Sequence, residues 1–191
     1  DGSGDKSKVV ETHYDYLDDD GVLAYQVIRR EPGKNGKSKD ILQRRPDGKG
    51  DWIWDLKGVE RYLYHASDIK KTQNILVFEG EKKCDHVRRN FKLPATTNSG
   101  GAGKFPWECI GYFRGKDVIL CPDNDKPGRE HMASIAVALR NESIAKSIKM
   151  LILPGLAEKG DISDWINAGG TKEALQKMID EGDVWMPETA D

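Results

Sequence analysis

Two short apolar runs in the second half of the chain each end in acidic residues. Residues 75–78, Ile-Leu-Val-Phe, are followed at once by Glu79, and residues 118–121, Val-Ile-Leu-Cys, are followed after one proline by Asp123 and Asp125. Continuous apolar runs of this length predict strands that are covered on both faces, as in a parallel sheet. Parallel strands end at the same edge of a sheet, where doubly wound folds bind their ligands. The three acids are therefore expected to meet at one edge.

Strands and helical stretches alternate from about residue 70 onward, which is typical of βαβ units and a mainly parallel sheet. We predict an α/β domain of about four mainly parallel strands flanked by helices at residues 73–182, with a boundary near Thr72 and a C-terminal tail at 183–191. Its remaining predicted elements are strands at 93–97 and 148–153, a helix carrying Cys84, Val87 and Phe91, a helix at 128–140, and short helices at 163–167 and 172–180, capped by Ser163 and Thr171.

The first part of the chain has a different pattern, in which short apolar runs alternate with glycine-rich turns. This pattern predicts a small antiparallel β-rich domain at residues 1–72. Eight basic and three acidic side chains lie between Arg29 and Lys49, a local net charge of +5. The predicted strands of this domain are residues 22–28, 41–43 and 52–54.

Composition limits the class of protein. The formal net charge is -2, so any surface for nucleic acid must be local. No apolar run approaches the length of a membrane span. The three cysteines are too widely separated for a Cys-x-x-Cys zinc motif, and their odd number favours a reducing, cytoplasmic compartment over a disulfide framework. The polar start at residues 1–4 suggests a linker and a piece of a longer protein. The cysteines are Cys84, Cys109 and Cys121.

The acids are suited to a hard cation. Residues two apart in an extended chain point to the same side, so Asp123 and Asp125 are expected to present both carboxylates in one direction. Oxygen ligands of this kind favour Mg²⁺, or Mn²⁺, over zinc or copper. Each motif also has an ordinary structural interpretation. Glu79 can be a solvated loop residue, and Asp-Asn-Asp before Lys-Pro-Gly can be a turn that caps a helix.

Several basic residues are candidate contacts to nucleotide or nucleic acid. The helix after Glu79 is rich in Lys and Arg, although such a run is commonly just a solvated helix face. The glycine-rich stretch at 97–106 does not match the P-loop pattern, and we interpret it as a flexible loop in which Lys104 can touch phosphate. Trp52 and Trp54 share one face of a strand and either stack on bases or seal a small core. The candidate contacts are Lys82, Lys83, Arg88, Lys104, Arg44 and Arg45.

Three segments together resemble the Toprim domain found in bacterial primases, phage primase-helicases, topoisomerases and some nucleases. Residues 75–82, ILVFEGEK, resemble its glutamate motif, and residues 118–128, VILCPDNDKPG, resemble its Asp-x-Asp motif. Residues 159–165, KGDISDW, are similar to the acidic loop of the primase branch. Residues 42–54 also resemble the segment that precedes Toprim in primase-like proteins of phages and mobile elements, which favours a primase over a topoisomerase.

The resemblance implies a Rossmann-like Toprim fold and a DNA primase, a nucleotidyltransferase that makes RNA primers in replication. Glu79, Asp123 and Asp125 would be catalytic, and these three with Asp161 would bind Mg²⁺ or Mn²⁺; whether Asp161 or Asp164 reaches the metal stays open. The implied partners are single-stranded DNA, ribonucleoside triphosphates and a fused or associated helicase and zinc-binding domain, although this chain has no Cys/His cluster for the latter. The alternatives are a Toprim nuclease and a non-catalytic DNA-binding or recombination module.

Overall fold

The computed structural model describes residues 8–187, so the polar start at residues 1–4 and the last four residues of the predicted tail lie outside the described part. The chain divides into two compact units, one up to Glu60 and one from Arg61 onward. This division comes earlier than the boundary that we predicted near Thr72. The reason is that the segment after Arg61 already belongs to the second unit: Leu63 lies in its hydrophobic core, and the Tyr64 amide donates to the carbonyl of Thr97.

The first unit is a four-stranded antiparallel sheet with the strand order β1-β2-β3-β4. The sequence pattern predicted its antiparallel character and three of its strands, but it missed β1. Polar side chains alternate with Tyr14 and Tyr16 in β1, so this strand lacks a continuous apolar run. The strands are β1 (Val10–Leu17), β2 (Leu23–Glu31), β3 (Asp40–Pro46) and β4 (Trp52–Ile53).

One face of this sheet carries buried tyrosines. Tyr16 pairs with Tyr25 across β1 and β2, and their rings stack with centroids 4.6 Å apart. Tyr14 lies opposite Val27 on the same face, and all four side chains are buried. Alternation along the strands places the even-numbered residues of β3 on the other face.

The second unit contains a four-stranded sheet in which every pairing is parallel, with the order β6-β5-β7-β8. This confirms the predicted α/β fold with four parallel strands. The chain passes from β5 outward to β6 and then back across to β7, so the direction of winding reverses between β5 and β7. The strands are β5 (Asn74–Val77), β6 (Ala95–Thr96), β7 (Asp117–Leu120) and β8 (Ser147–Met150).

Five α-helices and a 3₁₀ helix are present in the described part of the second unit. The pattern predicted four of them and missed α1 and the 3₁₀ helix, both of which are short. Thr171 caps α5 as predicted, but the cap of α4 is Asp161 and not Ser163. The helices are α1 (Ala66–Lys70), α2 (Glu81–Phe91), the 3₁₀ helix (Trp107–Phe113), α3 (Lys126–Asn141), α4 (Ile162–Asn167) and α5 (Lys172–Glu181).

The core of the second unit lies between its sheet and the helix α3. Apolar residues of β5 and β7 are almost fully buried, and α3 contributes Met132, Ile135 and Leu139 from one face. Cys84, Cys109 and Cys121 are all buried and are not joined by disulfides. Within residues 8–187, no helix is long and apolar enough to cross a bilayer.

Candidate active site

Glu79 and Asp123 meet at the point where the winding of the sheet reverses. Glu79 follows β5 by two residues and Asp123 follows β7 by three, and these two strands are direct neighbours. The Oε1 atom of Glu79 accepts a hydrogen bond of 2.9 Å from the backbone amide of Asp123. Acids that are 44 positions apart in sequence are thereby joined at the carboxyl edge of the sheet, where open α/β folds bind ligands.

Gly128 leaves the space that the Glu79 carboxylate occupies. A Cβ atom built on Gly128 would lie 2.2 Å from Oε1 of Glu79 and 3.1 Å from the backbone nitrogen of Asp123. The separation of 2.2 Å from the Glu79 oxygen is far below van der Waals contact. The first turn of α3 can therefore lie against this carboxylate only because position 128 has no side chain.

Lys83 supplies a positive charge to the acids. This lysine lies on the first turn of α2, and its ammonium group contacts both carboxylate oxygens of Asp123. The same ammonium lies 3.5 Å from Oδ2 of Asp161. The Lys83 side chain is only 13% exposed, so this charge is well shielded from water. The Lys83 ammonium thus joins Asp123 and Asp161, which lie in two different loops.

Asp161 is held in place by its own helix and by Asn124. Its Oδ1 atom accepts from the backbone amides of Ser163 and Asp164, while the Asp164 carboxylate accepts from the amide of Asp161, which forms a capping box at the start of α4. Oδ2 of Asp161 remains directed to Lys83. Of the two candidate acids in this loop, Asp161 is therefore the one beside Asp123.

Asn124 connects the loop after β7 to the loop that precedes Asp161. Its amide group donates to the carbonyls of Leu156 and Ala157, and its backbone amide donates to the carbonyl of Gly160 over 2.9 Å. Sequence reasoning did not assign any role to Asn124. Its position between two acids was the available signal, because a residue between two site residues is well placed to fix a neighbouring loop.

Asp125 differs from Asp123 in what its side chain binds. Its Oδ1 atom accepts a hydrogen bond of 2.8 Å from the amide of Gly128 and caps α3. Asp123 contacts Lys83 whereas the α3 cap engages Asp125, so the two carboxylates have different partners in this arrangement. Asp125 still lies close enough to raise the pKa of both Glu79 and Asp123 by charge repulsion.

The protonation equilibria of the two central acids are displaced in the same direction. Burial raises the pKa of Glu79, and the negative charges of Asp123 and Asp125 add to this effect, while the hydrogen bond from the Asp123 amide opposes it. Burial also raises the pKa of Asp123, and the Lys83 ammonium opposes that shift. Crowded, partly buried carboxylates of this kind favour the arrival of a proton or a metal cation.

No three acid, histidine or cysteine side chains among residues 8–187 are grouped closely enough to hold a metal ion as they stand. The available donors are nevertheless carboxylate oxygens, the ligand type that Mg²⁺ and Mn²⁺ prefer. The Lys83 ammonium already lies against two of these carboxylates, so the site accepts a cation at this position. The donor chemistry therefore fits a hard divalent ion, with Lys83 as the group that it would have to replace.

The glycine-rich stretch after β6 is anchored at its start rather than flexible throughout. Thr97, Asn98 and Ser99 are buried, and Oγ1 of Thr97 accepts from the amide of Gly80 beside Glu79. His131 on α3 accepts from the Gly103 amide through Nδ1, so its Nε2 carries the proton and donates to Oδ1 of Asn98. Burial lowers the pKa of His131, which keeps the ring neutral.

The candidate basic contacts fall into four groups. Lys83 lies against the acids, whereas Lys82 and Lys104 are exposed to solvent. Arg88 forms an ion pair with Asp68 of α1. Arg44 and Arg45 belong to the other compact unit, where alternation along β3 directs them to opposite faces of the sheet.

Gly128→Ala is expected to destabilise the chain by about 1–3 kcal/mol, the usual cost of forcing extra atoms into a packed site. The new methyl group would displace the Glu79 carboxylate and break its bond to the Asp123 amide. Urea unfolding measures this change. Gly111→Ala is the control, because a Cβ at Gly111 meets no atom within 4 Å. The double variant Gly128→Ala with Glu79→Ala should recover part of the lost stability. If Gly128→Ala alone were as stable as the unmodified chain, the close approach of Glu79 to position 128 would be contradicted.

No protein-family model matches the chain, and no curated protein matches it. Solved structures do match its fold. The primase of Aquifex aeolicus, comprising zinc-binding and RNA polymerase domains, has a TM-score of 0.66 at 17% identity over 91% of this chain. The primase fragment of the bacteriophage T7 primase-helicase protein has a TM-score of 0.59 at 17% identity over 91%. A DnaG primase catalytic domain bound to single-stranded DNA has a TM-score of 0.64 at 19% identity over 91%.

The chain spans 40% of the Aquifex protein, 64% of the T7 fragment and 52% of the DNA-bound domain. Both sheets fall within the similarity, since it covers nine-tenths of this chain. At these identities the comparison establishes the fold: a parallel four-stranded sheet flanked by helices, preceded by an antiparallel β-rich unit, as in primase catalytic cores.

Proposed function

We propose that this chain is the catalytic core of a Toprim-type DNA primase, which joins ribonucleotides on single-stranded DNA with the help of Mg²⁺ or Mn²⁺. The observation that carries the proposal is the meeting of Glu79 and Asp123 at the edge of the parallel sheet, with Asp161 and Lys83 beside them. Three loops that follow three parallel strands contribute to this centre. Open α/β sheets bind their ligands at such a convergence of loops, and clustered carboxylates there suit metal-assisted phosphate transfer.

The shared fold supports a primase over other enzymes that use clustered acids. Both compact units have counterparts in primase catalytic cores, and one of those structures contains single-stranded DNA. The T7 fragment comes from a protein that also contains a helicase. We therefore include a DNA template, ribonucleoside triphosphates and a fused or associated helicase and zinc-binding domain among the proposed partners.

We assign Asp123, Asp125 and Asp161 to cation binding, with Glu79 next to the cation. When bound, the divalent ion would align the nucleotide phosphates and neutralise charge that develops during transfer. Asp123 and Asp161 are released for this task when Lys83 moves away from them. Asp125 joins the set only if its carboxylate can serve the cation in addition to the α3 cap.

Glu79 is suited to handle a proton. One of its oxygens is fixed by the Asp123 amide, which leaves the other oxygen of the carboxylate for a substrate hydroxyl. The pKa of Glu79 is raised toward neutral pH, and a general base is most efficient when its pKa is near the working pH. We assign Glu79 the role of accepting the proton of the attacking 3′-hydroxyl.

The basic residues near the centre are assigned to phosphate. Once displaced from Asp123, the Lys83 ammonium lies next to the place where the phosphates of an incoming nucleotide would bind. Lys82 on the same helix and Lys104 in the glycine-rich stretch are exposed and can reach a nucleotide or the template strand. Arg88 is available only if its ion pair with Asp68 opens.

Primer synthesis on a single-stranded template tests the proposal. The chain is incubated with ribonucleoside triphosphates, a single-stranded DNA and either Mg²⁺, Mn²⁺ or EDTA, and labelled products are resolved on a gel. We expect short RNA products that depend on the template and on the metal. The same reactions with end-labelled DNA and without nucleotides report nuclease activity, and a gel shift in EDTA reports metal-independent binding.

The outcomes separate the candidate functions. Template-dependent RNA products support a primase. Metal-dependent shortening of the DNA without synthesis would instead indicate a Toprim nuclease. A gel shift in EDTA without either reaction would indicate a DNA-binding or recombination module and would overturn the proposal.

A further inference from the structure

A partly exposed cluster of two tryptophans and two arginines lies on one face of the N-terminal sheet. The guanidinium of Arg44 lies 3.8 Å from the ring centroid of Trp52 and 5.4 Å from that of Trp54. The guanidinium of Arg30 lies 5.9 Å from the centroid of Trp54. We call Arg30, Arg44, Trp52 and Trp54 the Arg–Trp cluster.

The cluster is on the opposite face from the buried tyrosines. Gln26 pairs with Arg44, and Pro46 pairs with Trp52, so these residues share the face of even-numbered residues of β3. Tyr16 and Val27 lie on the other face. Trp54 is 54% exposed. The indoles therefore lie away from the tyrosine face; the Trp54 ring is accessible to a ligand, whereas Trp52 is only partly exposed.

A chain of hydrogen bonds fixes the central arginine. Gln26 donates to Asp15 over 2.6 Å, and the other atom of the same amide accepts from Nε of Arg44 over 2.8 Å. Gln26 is only 8% exposed. Within the described residues this bond uses Nε alone, so the two terminal nitrogens of Arg44 remain for another acceptor. An arginine held against two indoles in this way loses little freedom when a ligand binds.

We propose that the Arg–Trp cluster binds single-stranded nucleic acid by stacking a base on Trp54, while Arg44 contacts a neighbouring phosphate. Exposed indoles stack on bases of any sequence, and guanidinium groups bind phosphate oxygens. The surrounding segment has the local net charge of +5, which suits a polyanion. If the proposed function holds, the bound strand is the template.

Binding of a labelled thymidine oligonucleotide, followed by fluorescence anisotropy in EDTA, tests this surface. Trp54→Ala is expected to weaken binding by about tenfold, within the range measured for loss of one base–aromatic stack. Arg44→Lys, which keeps the charge but loses the planar group, should also weaken binding. Trp107→Ala is the matched control, because Trp107 is 50% exposed but lies in the other compact unit, and it should leave binding unchanged.

Three results would overturn the cluster as a binding surface. The first is that Trp54→Ala binds the oligonucleotide as tightly as the unmodified chain. The second is that Trp107→Ala loses as much affinity as Trp54→Ala. The third is that inorganic polyphosphate competes as strongly as unlabelled oligonucleotide. The last would mean that charge alone accounts for binding.

Glu79→Gln separates this inference from the proposed function, because it should abolish synthesis and leave binding in EDTA intact. Weaker binding in Trp54→Ala and Arg44→Lys, with unchanged binding in Trp107→Ala, supports the cluster whatever the outcome of the synthesis reaction.

Discussion

Asp123→Asn is expected to reduce template-dependent synthesis by about 10²- to 10³-fold, the scale on which removal of one preorganised charge-stabilising group lowers an enzymatic rate. Asparagine keeps the size of the side chain and leaves the backbone amide free to donate to Glu79. It also removes one negative charge from a crowded group. The variant should therefore fold, and loss of activity would be due to the missing carboxylate.

Asp117→Asn is the control for Asp123→Asn. Asp117 begins β7, and Asp123 follows the end of the same strand. The Asp117 carboxylate accepts from Ser147 and Gln73, and the Ser147 hydrogen bond is the main cause of its lowered pKa. We expect Asp117→Asn to lose about 1 kcal/mol of stability and to keep its activity. Equal activity of Asp123→Asn and the unmodified chain would remove Asp123 from the mechanism.

Lys83→Met is expected to increase the affinity for Mg²⁺ or Mn²⁺ by about tenfold, which corresponds to about 1.4 kcal/mol. In the unmodified chain, a metal ion must displace an ammonium group that contacts Asp123 and Asp161. Methionine fills a similar volume without the charge, so the carboxylates are left to repel one another. The metal-free variant should therefore lose about 1–3 kcal/mol of stability, because two partly buried acids lose their counter-charge.

Lys82→Met is the matched control, since Lys82 is the adjacent residue on α2 but is exposed. Thermal unfolding with and without Mg²⁺ should show a larger stabilisation by the metal in Lys83→Met than in the unmodified chain or the control. Isothermal titration with Mn²⁺ gives the affinities directly. If Lys83→Met binds the metal no more tightly than Lys82→Met, the ammonium does not compete for the site.

The meeting of Glu79 and Asp123 was predictable from sequence because it depends on the parallel direction of the strands that precede them. Apolar runs before Glu79 and Asp123 predicted parallel strands, and parallel strands end at one edge of a sheet. The hydrogen bond between these two residues agrees with that expectation. The Toprim resemblance indicated Asp161 as a further metal ligand. Asp161 lies 3.5 Å from the Lys83 ammonium, which also contacts Asp123.

The remaining features of the site depend on contacts that no local pattern encodes. Lys83 is one of several basic residues on α2, and only the rotation of that helix directs it to Asp123. Gly128 was interpreted as part of a helix start, whereas its main role is to leave room for a carboxylate from another loop. Asn124 and His131 act through hydrogen bonds to residues about 30 positions away in sequence.

Some features of the N-terminal unit also could not be predicted from local sequence patterns. Turn chemistry predicted its antiparallel hairpins, but β1 alternates polar and aromatic residues and lacks the apolar run that marked the other strands. The face on which Trp52 and Trp54 lie followed only from the pairing register of β3 and β4. Register depends on which strands pair, and sequence periodicity within one strand does not determine it.

Binding of Mn²⁺, measured by electron paramagnetic resonance, tests the acidic centre most directly. We predict that the unmodified chain binds Mn²⁺ at a site from which Mg²⁺ displaces it, that Asp117→Asn binds equally well, and that Asp123→Asn binds at least about tenfold more weakly. If Asp123→Asn bound Mn²⁺ as tightly as the unmodified chain, the acids at the edge of the parallel sheet would not be the metal site, and the proposed mechanism would be wrong.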